Sequence, residues 1–268
     1  MIKLFVTDLD GTLLETGKPI AKENIEAAKY AVSKGVTVTI ATGRMYRAAL
    51  PIARELEVDA PIITYNGALI KSVSGKVFYE NYIDENIVKE VIALSREKNW
   101  YLQLYSDDKL FYPEKNELSE KYESWQGLKG EAATWDGLKE HAAKVTKLLS
   151  FSKTVEETKE RTEVYREAFK NELTITNSME YYVDMTNIGV SKASGISELS
   201  RVLNIPIEET MAIGDAENDL SMLKAAGKSV AMGNAAENIK KEADFVTLTC
   251  NEHGFANAIY KFALEEKV

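Results

Sequence analysis

Residues 3–14 read KLFVTDLDGTLL, an apolar segment that stops at two aspartates flanking one leucine and is followed by a glycine and a hydroxyl residue. A run of about four to six apolar, partly β-branched residues is typical of a buried strand. Asp8 and Asp10 would then lie at its carboxyl end, the edge at which open α/β sheets bind ligands. Because side chains alternate faces along a strand, both aspartates would point into one crevice, with Leu9 anchoring the chain between them. Taken alone, these residues fit a solvated turn equally well, since Asp and Gly are ordinary turn residues.

The composition and net charge of the chain exclude several classes of protein. The chain has 268 residues, of which 45% are hydrophobic and 28% charged, and Cys250 is its only cysteine. A net charge of −9 without a basic run argues against a nucleic-acid or anionic-membrane partner. No segment reaches the roughly 18 apolar residues that span a bilayer, and the amino-terminal residues lack a signal-peptide pattern. We therefore expect a cytoplasmic protein without these partners. The composition does not determine the oligomeric state, and a monomer or weak homodimer that acts on a small molecule is the working expectation.

The order of patterns predicts two domains. Helical periodicity and β-branched runs alternate up to Thr64, which predicts a βαβαβ half of a doubly wound sheet, and the same alternation resumes at Ser191. Residues 84–188 are strand-rich and interrupt it. The expected fold is α/β, with a doubly wound, Rossmann-like, mostly parallel sheet in residues 1–83 and 189–268. An α+β cap domain, residues 84–188, is inserted into that core.

Polar side chains suited to phosphoryl chemistry follow the predicted core strands or open the helix that follows the insertion. They are Asp8, Asp10, Thr42, Lys192, Asp215, Asn218 and Asp219. Carboxylate and amide oxygens form a site for a hard cation such as Mg²⁺. A hydroxyl and a lysine would neutralise the remaining oxygens of a phosphoryl group, and aspartate is a known phosphate-accepting nucleophile.

These residues resemble, in order and spacing, the four motifs of the haloacid dehalogenase superfamily. The motifs are Asp8-Leu9-Asp10-Gly11-Thr12, Thr42-Gly43-Arg44, Lys192, and the stretch from Gly214 to Asp219. The long insertion before Lys192 and the element Tyr65-Asn66-Gly67-Ala68 resemble the Cof-type, sugar-phosphatase-like branch of that superfamily. The resemblance covers the whole chain, and its first and fourth motifs are the most specific.

The resemblance implies a role for each matching residue. Asp8 would attack phosphorus and form an aspartyl-phosphate, while Asp10 would serve as general acid and then general base. Mg²⁺ would be bound by Asp8, the backbone carbonyl of Asp10 and Asp215, with Asn218 and Asp219 as further ligands. Thr42 and Lys192 would hold the phosphoryl oxygens, assisted by the backbone N–H groups of Leu9 and Gly43. Expected substrate contacts are Arg44, Arg47, Asn66, Asp184 and Asn187.

The leading prediction is thus a Mg²⁺-dependent phosphatase of small phosphorylated metabolites, such as sugar phosphates. Two alternatives stay open at this stage. Relatives with similar caps are phosphosugar mutases, which return the phosphate to the sugar. A phosphoaspartate receiver or metabolite-sensing module would also combine carboxylates, Mg²⁺, a threonine and a lysine on a doubly wound sheet. The placement of Asp10 to hydrolyse the intermediate and the size of the insertion favour the enzyme.

Overall fold

The computed structural model describes residues 1–15 and 17–265, which form two compact units. The first unit contains residues 1–43 and 49–79 together with the segment from residue 191 onward. The second unit contains residues 44–48 and 80–190. Among the helices within the described ranges, none combines the length and the apolarity that crossing a bilayer requires.

Strands and helices alternate along much of the chain. The strands are β1 (Leu4–Thr7), β2 (Thr37–Ile40), β3 (Ile62–Thr64), β4 (Leu69–Lys71), β5 (Val77–Glu80), β6 (Tyr101–Ser106), β7 (Lys109–Tyr112), β8 (Glu131–Ala132), β9 (Val145–Phe151), β10 (Leu173–Thr176), β11 (Tyr182–Asn187), β12 (Thr210–Gly214), β13 (Lys228–Ala231) and β14 (Phe245–Val246). The helices are α1 (Lys22–Ser33), α2 (Tyr46–Glu55), α3 (Glu85–Glu97), α4 (Glu117–Gln126), α5 (Thr134–Glu140), α6 (Val155–Ala168), α7 (Lys192–Leu203), α8 (Leu220–Ala225), α9 (Glu237–Lys240) and α10 (Gly254–Ala258).

The first unit is built on a parallel sheet with the strand order β14-β13-β12-β1-β2. From β1 the chain proceeds to β2 on one side, whereas the later strands β12, β13 and β14 add on the other side. The order of connection therefore reverses between β1 and β12, and ligands of open α/β sheets bind at such a switch point. The predicted α/β class with a parallel core sheet is confirmed.

Both faces of this sheet are covered by helices, because its strands are apolar on both sides. Leu4 and Val6 of β1 pack in one cluster with residues of α7 and α8, such as Ile196 and Met222. Phe5 points to the opposite face, where its ring meets that of Phe255 of α10 edge-on at 5.5 Å. These three residues of β1 are fully buried.

The third predicted core strand is placed differently from the expectation. Strand β3 pairs antiparallel with β4 in a small sheet with the order β3-β4-β5, and a single parallel bridge, Ala41 to Ile63, joins it to the chain after β2. Tyr65 and Asn66 have left-handed backbone angles, with φ of 53° and 56°. This turn reverses the chain directly after Thr64, so that β4 returns along β3.

The second unit contains a mixed sheet with the order β10-β11-β9-β6-β7-β8, antiparallel except between β7 and β8. One face packs on α3 and α6 through an apolar cluster that includes Leu102, Leu104 and Leu148. Because side chains alternate along a strand, Gln103, Tyr105 and their neighbours lie on the other face. The inserted α+β domain is thus a helix-covered mixed sheet, as predicted.

Candidate active site

The parallel register of the first unit brings the predicted motifs to one edge of the sheet. Thr7 is paired with Ile213 on one side and with Ile40 on the other. The backbone N–H of Asp8 donates to the carbonyl of Ile213 at 3.0 Å, which continues the ladder by one residue. Asp8, Thr42 and Asp215 consequently follow three adjacent strands at their carboxyl ends.

A buried ion-pair network joins the first, third and fourth motifs. Lys192 Nζ donates to Asp8 Oδ1 and to Asp219 Oδ1, both at 2.5 Å. The side chain of Lys192 is 1% exposed, and those of Asp8 and Asp219 are 8% and 0% exposed. Lys192 is the first residue of α7, whose N-terminus is capped by Ser191 in a capping box. The helix start therefore fixes the backbone from which the lysine reaches the carboxylates.

Burial and crowding change the pKa values of these groups. Burial, and then the charge of Asp219, raise the pKa of Asp8 well above its ordinary value although Lys192 opposes this. Burial alone would lower the pKa of Lys192, but the carboxylates of Asp219 and Asp8 outweigh it and raise that pKa. The negative charge of the carboxylates therefore exceeds the positive charge that Lys192 supplies. A bound cation would compensate this excess.

The side chains at this edge fit a divalent cation. One carboxylate oxygen from each of Asp8, Asp215 and Asp219 lies within 4.8 Å of the others. The Oδ1 atom of Asn218 is buried without a hydrogen-bond partner in the described part of the chain. These donors are all oxygens, the ligand type of Mg²⁺ and similar hard cations. Asp219 is the most engaged of the four, because its Oδ2 accepts from the N–H groups of Asp215 and Ala216 at 2.9 and 3.0 Å.

Asp215 is positioned by two residues that sequence reasoning left without a role. Thr12 Oγ1 donates to Asp215 Oδ1 at 2.8 Å, and Asn234 Nδ2 lies 3.4 Å from Asp215 Oδ2 and 2.9 Å from the carbonyl of Gly11. Burial, followed by the charge of Asp219, raises the pKa of Asp215 to about 6. Two features of the sequence could have identified these residues: Thr12 belongs to the first motif, and Asn234 follows β13 at the same sheet edge.

The loop that carries Asp10 is held by its own backbone. The N–H groups of Thr12 and Leu14 donate to the carbonyl of Leu9, and Leu9 itself is fully buried. Gly11 has a φ of +85°, and a Cβ there would lie 2.4 Å from Asp215 Oδ2, so this position requires glycine. The charge of Asp10 contributes to the raised pKa values of Asp8 and Asp215, which places Asp10 within electrostatic range of both.

The second motif meets the turn after β3. Thr42 is buried, and its carbonyl accepts from the backbone N–H of Asn66 at 3.0 Å. Asn66 Oδ1 accepts from Asn218 Nδ2 at 3.2 Å and would lie 2.9 Å from a Cβ on Gly43. Asn66 Nδ2 is buried without a hydrogen-bond partner within the described ranges. A donor of Asn66 and an acceptor of Asn218 are therefore unpaired at the sheet edge.

The other predicted substrate contacts lie in the second unit, each with partners of its own. The guanidinium of Arg44 lies over the ring of Trp125 at 5.1 Å, and Arg47 bonds Asp108 through its backbone N–H and its side chain. Asp184 is fully buried, pairs with Lys147 at 2.7 Å and accepts from Ser178. Asn187 Nδ2 donates to Asn81 Oδ1 at 2.7 Å. The structure does not bring these four together in one cluster, and their contacts to substrate stay predictions.

Comparison with known proteins identifies the class. The sequence profile of the haloacid dehalogenase-like hydrolases matches residues 5–259. The phosphatase YwpJ of Bacillus subtilis (strain 168) is 31% identical, over 96% of this chain and 98% of that protein. The same organism's 5-amino-6-(5-phospho-D-ribitylamino)uracil phosphatase YcsE is 32% identical, over 98% of this chain and 96% of that protein. The chain belongs to the haloacid dehalogenase-like hydrolases.

Comparison with solved structures identifies the branch of the family to which the chain belongs. The subclass IIB sugar phosphatase BT4131 superposes with a TM-score of 0.87 at 29% identity, covering 98% of this chain and 99% of that one. A HAD/COF-like hydrolase from Plasmodium vivax superposes with a TM-score of 0.88 at 26% identity, covering 97% and 95% of the two chains. The chain is thus a phosphatase of the Cof-like subclass IIB, a phosphoric monoester hydrolase of small phosphorylated metabolites.

Proposed function

We propose that the chain is a Mg²⁺-dependent phosphatase that hydrolyses sugar phosphates or similar phosphomonoesters through an aspartyl-phosphate on Asp8. The observation that carries this proposal is the buried contact of Lys192 with Asp8 and Asp219 beside the carboxylate of Asp215. A nucleophilic carboxylate, a cation for the phosphoryl oxygens and an all-oxygen donor set are the parts that phosphoryl transfer requires.

In the first half-reaction, a carboxylate oxygen of Asp8 forms a bond to phosphorus. The bond between phosphorus and the substrate oxygen breaks, and Asp10 gives its proton to that oxygen, so that the alcohol leaves neutral. Lys192 and Thr42 hold the phosphoryl oxygens, with the N–H groups of Leu9 and Gly43 as further donors.

In the second half-reaction, a water molecule attacks the phosphorus of the aspartyl-phosphate. Asp10 accepts the proton of that water, and the bond to Asp8 breaks, which releases inorganic phosphate and restores the carboxylate. Mg²⁺ would be held by Asp8, the carbonyl of Asp10, Asp215, Asn218 and Asp219. When bound, it supplies positive charge that neutralises these carboxylates and the phosphoryl group.

The substrate is proposed from the relatives, and two types of compound are supported. Three related proteins of Bacillus subtilis, YcsE, YwtE and YitU, are phosphatases of 5-amino-6-(5-phospho-D-ribitylamino)uracil, and BT4131 is a sugar phosphatase. Both types belong in the substrate panel. A hexose monophosphate, supplied with a small amount of the corresponding bisphosphate and assayed for the isomeric monophosphate, is included to test the mutase alternative.

The experiment is phosphate release from this panel with Mg²⁺ and with excess EDTA. We expect release that needs the metal and is lost in Asp8→Asn, while Asp59→Asn, an exposed aspartate before β3, keeps the parent rate. Acid-quenched parent protein should carry a phosphoryl group on Asp8 during turnover. Turnover by Asp8→Asn at the parent rate would overturn the proposed nucleophile, and transfer to a sugar without phosphate release would favour the mutase.

A further inference from the structure

The second unit contains a cavity of about 580 Å³ between one side of α4, the end of β9 and the start of β11. This volume lies within the range of about 300–1,000 Å³ that small-molecule sites occupy. Aromatic rings form much of its wall, and none of the roles proposed above uses them. The rings belong to Tyr122, Trp125, Phe151, Tyr181 and Tyr182.

The rings are held in place by contacts with one another. Tyr182 meets Phe151 edge-on at 4.6 Å and Trp125 at 6.2 Å, with interplanar angles of 85° and 61°. Tyr122, which is 3% exposed, meets Phe151 at 5.3 Å from the buried side. Such edge-to-face pairs order the wall before any ligand arrives, so that binding loses little side-chain entropy.

Part of this aromatic surface remains open to solvent. Trp125 and Tyr182 are only partly buried, and Tyr181 is 41% exposed. Planar ring systems stack on exposed aromatic side chains, and one such contact contributes about 1–3 kcal/mol when the ligand is a nucleobase. The wall is therefore better suited to a flat, conjugated ring than to a sugar.

The charges around the cavity favour an anion. Lys121 and Lys153 line it, and the guanidinium of Arg44 lies over the ring of Trp125 at 5.1 Å. The acidic lining residue is Glu117, which pairs with Lys121 at 2.7 Å. The charged residues that line the cavity itself are thus two lysines and one glutamate, whereas Glu180, which hydrogen-bonds Tyr181, and Glu156 lie beside Tyr181 outside the lining.

We propose that this cavity binds the planar ring of an anionic heteroaromatic metabolite, of the chemical class of a nucleoside monophosphate or flavin mononucleotide. The ring contacts Trp125, Tyr181 and Tyr182, and the negative group lies toward Lys121 and Lys153. The cavity lies wholly within the second unit, so its ligand binding is measured independently of phosphatase chemistry.

The first test is the fluorescence polarisation of flavin mononucleotide, titrated with the full chain in excess EDTA so that no turnover occurs. We expect saturable binding that AMP displaces and that glucose 6-phosphate and inorganic phosphate leave unchanged. If flavin mononucleotide does not saturate, or if glucose 6-phosphate displaces it as well as AMP does, the proposal is wrong.

Variants of the wall identify the site. Trp125→Ala and Tyr181→Ser should each weaken binding about tenfold, the effect of removing one stacked ring. Trp125→Phe should stay within about threefold of the parent, because it keeps a ring face. Phe245→Ala removes an exposed aromatic residue of the first unit, 38% exposed, and should change nothing. Tyr181 is exposed, so its variant reports on binding even if Trp125→Ala is poorly folded. Equal affinities across the series would overturn the assignment.

Two further comparisons test where the anionic group of the ligand binds and whether the ligand is a substrate or an effector. Lys121→Gln and Lys153→Gln should reduce the preference for flavin mononucleotide over riboflavin severalfold, and an unchanged preference would contradict the placement of the anion. With Mg²⁺ restored, release of phosphate from the bound compound identifies it as a substrate. An unhydrolysed ligand that alters the rate on a sugar phosphate is an effector of the same site. Because binding is measured without metal, loss of the proposed phosphatase activity would not be mistaken for failure of this site.

Discussion

At the scale of single residues, the site depends on side chains that hold the reacting groups as much as on those groups themselves. Asn66 is the clearest example. Its left-handed backbone angle is one that asparagine tolerates better than most residues, and its amide oxygen accepts from Asn218. The sequence indicated a turn and an expected substrate contact at Asn66, but not its hydrogen bond to Asn218, because that partner is 152 residues away.

Replacing Asn66 by glycine removes the amide but keeps a residue that adopts positive φ readily. We expect Asn66→Gly to lower turnover by about tenfold or more, since Asn218 loses the acceptor that orients it. Asn66→Ala should show the same kinetic loss and, in addition, a free energy of unfolding lower by about 1 kcal/mol or more, because alanine is strained at this φ. Steady-state kinetics and urea unfolding measure the two effects. Parent-like turnover by Asn66→Gly would show that the amide has no part in the reaction.

Asp215 gives a prediction for the pH dependence of stability. Its pKa rises from 3.8 to about 6 on folding, so between these values the folded protein holds a proton that the unfolded chain releases. The free energy of unfolding of the metal-free protein should therefore fall as pH rises from about 4 to 6, by up to about 3 kcal/mol from this group. The free energy of unfolding is measured by urea unfolding in EDTA across this pH range. The difference between the parent protein and Asp215→Asn isolates the contribution of Asp215. A difference independent of pH would show that Asp215 titrates normally.

At the scale of elements, the strand ends could be predicted and the exact pairing could not. The apolar run before Asp8 and the β-branched run from Val36 to Ile40 specify two strands by local pattern alone. Whether the chain after Ile62–Thr64 turns back to pair antiparallel with it depends on the backbone angles of Tyr65 and Asn66, which periodicity does not encode. The charged stretch after Pro113 contains α4 and α5 separated by the short strand β8, and no local pattern in the sequence specifies that order.

The start of α7 is the element that positions Lys192. Ser191→Ala removes the side-chain acceptor for the N–H of Ser194, and it should lower the free energy of unfolding by about 1 kcal/mol. Because Lys192 is the first residue of this helix, we also expect the KM for phosphomonoesters to rise severalfold. Thr154→Ala is the matched control: it removes the corresponding cap of α6, where Thr154 accepts from Glu157, and should leave KM unchanged. Equal KM values in the two variants would mean that the cap does not position the lysine.

At the scale of the whole molecule, the fold class, the inserted mixed sheet, the family and the phosphatase activity predicted from the motifs are confirmed. The pattern succeeded because Asp8, Thr42, Lys192 and Asp215 recur at ends of elements that a parallel sheet must bring together. The aromatic cavity of the second unit had no such signal. Its rings are scattered between residues 122 and 182 and follow no period, so only the folded chain places them together.

Each unit contains a buried lysine–carboxylate pair, and the two should respond differently to metal. Lys192 contacts Asp8 beside further carboxylates, whereas Lys147 contacts Asp184, whose remaining oxygen is bonded to Ser178. Mg²⁺ at about 100 times its dissociation constant should stabilise the protein by about 2.7 kcal/mol, since a ligand that binds only the folded state shifts the equilibrium by mass action. Amide hydrogen exchange should slow in peptides around Asp8 and residues 210–219 and stay unchanged in β9 and β11.

Asp184→Asn should speed exchange in β9 and β11, because it weakens a buried pair, and keep the Mg²⁺ effect in the first unit. Asp215→Asn should abolish that effect. Slowing of β9 and β11 by Mg²⁺ in the parent protein would instead indicate a cation site in the second unit.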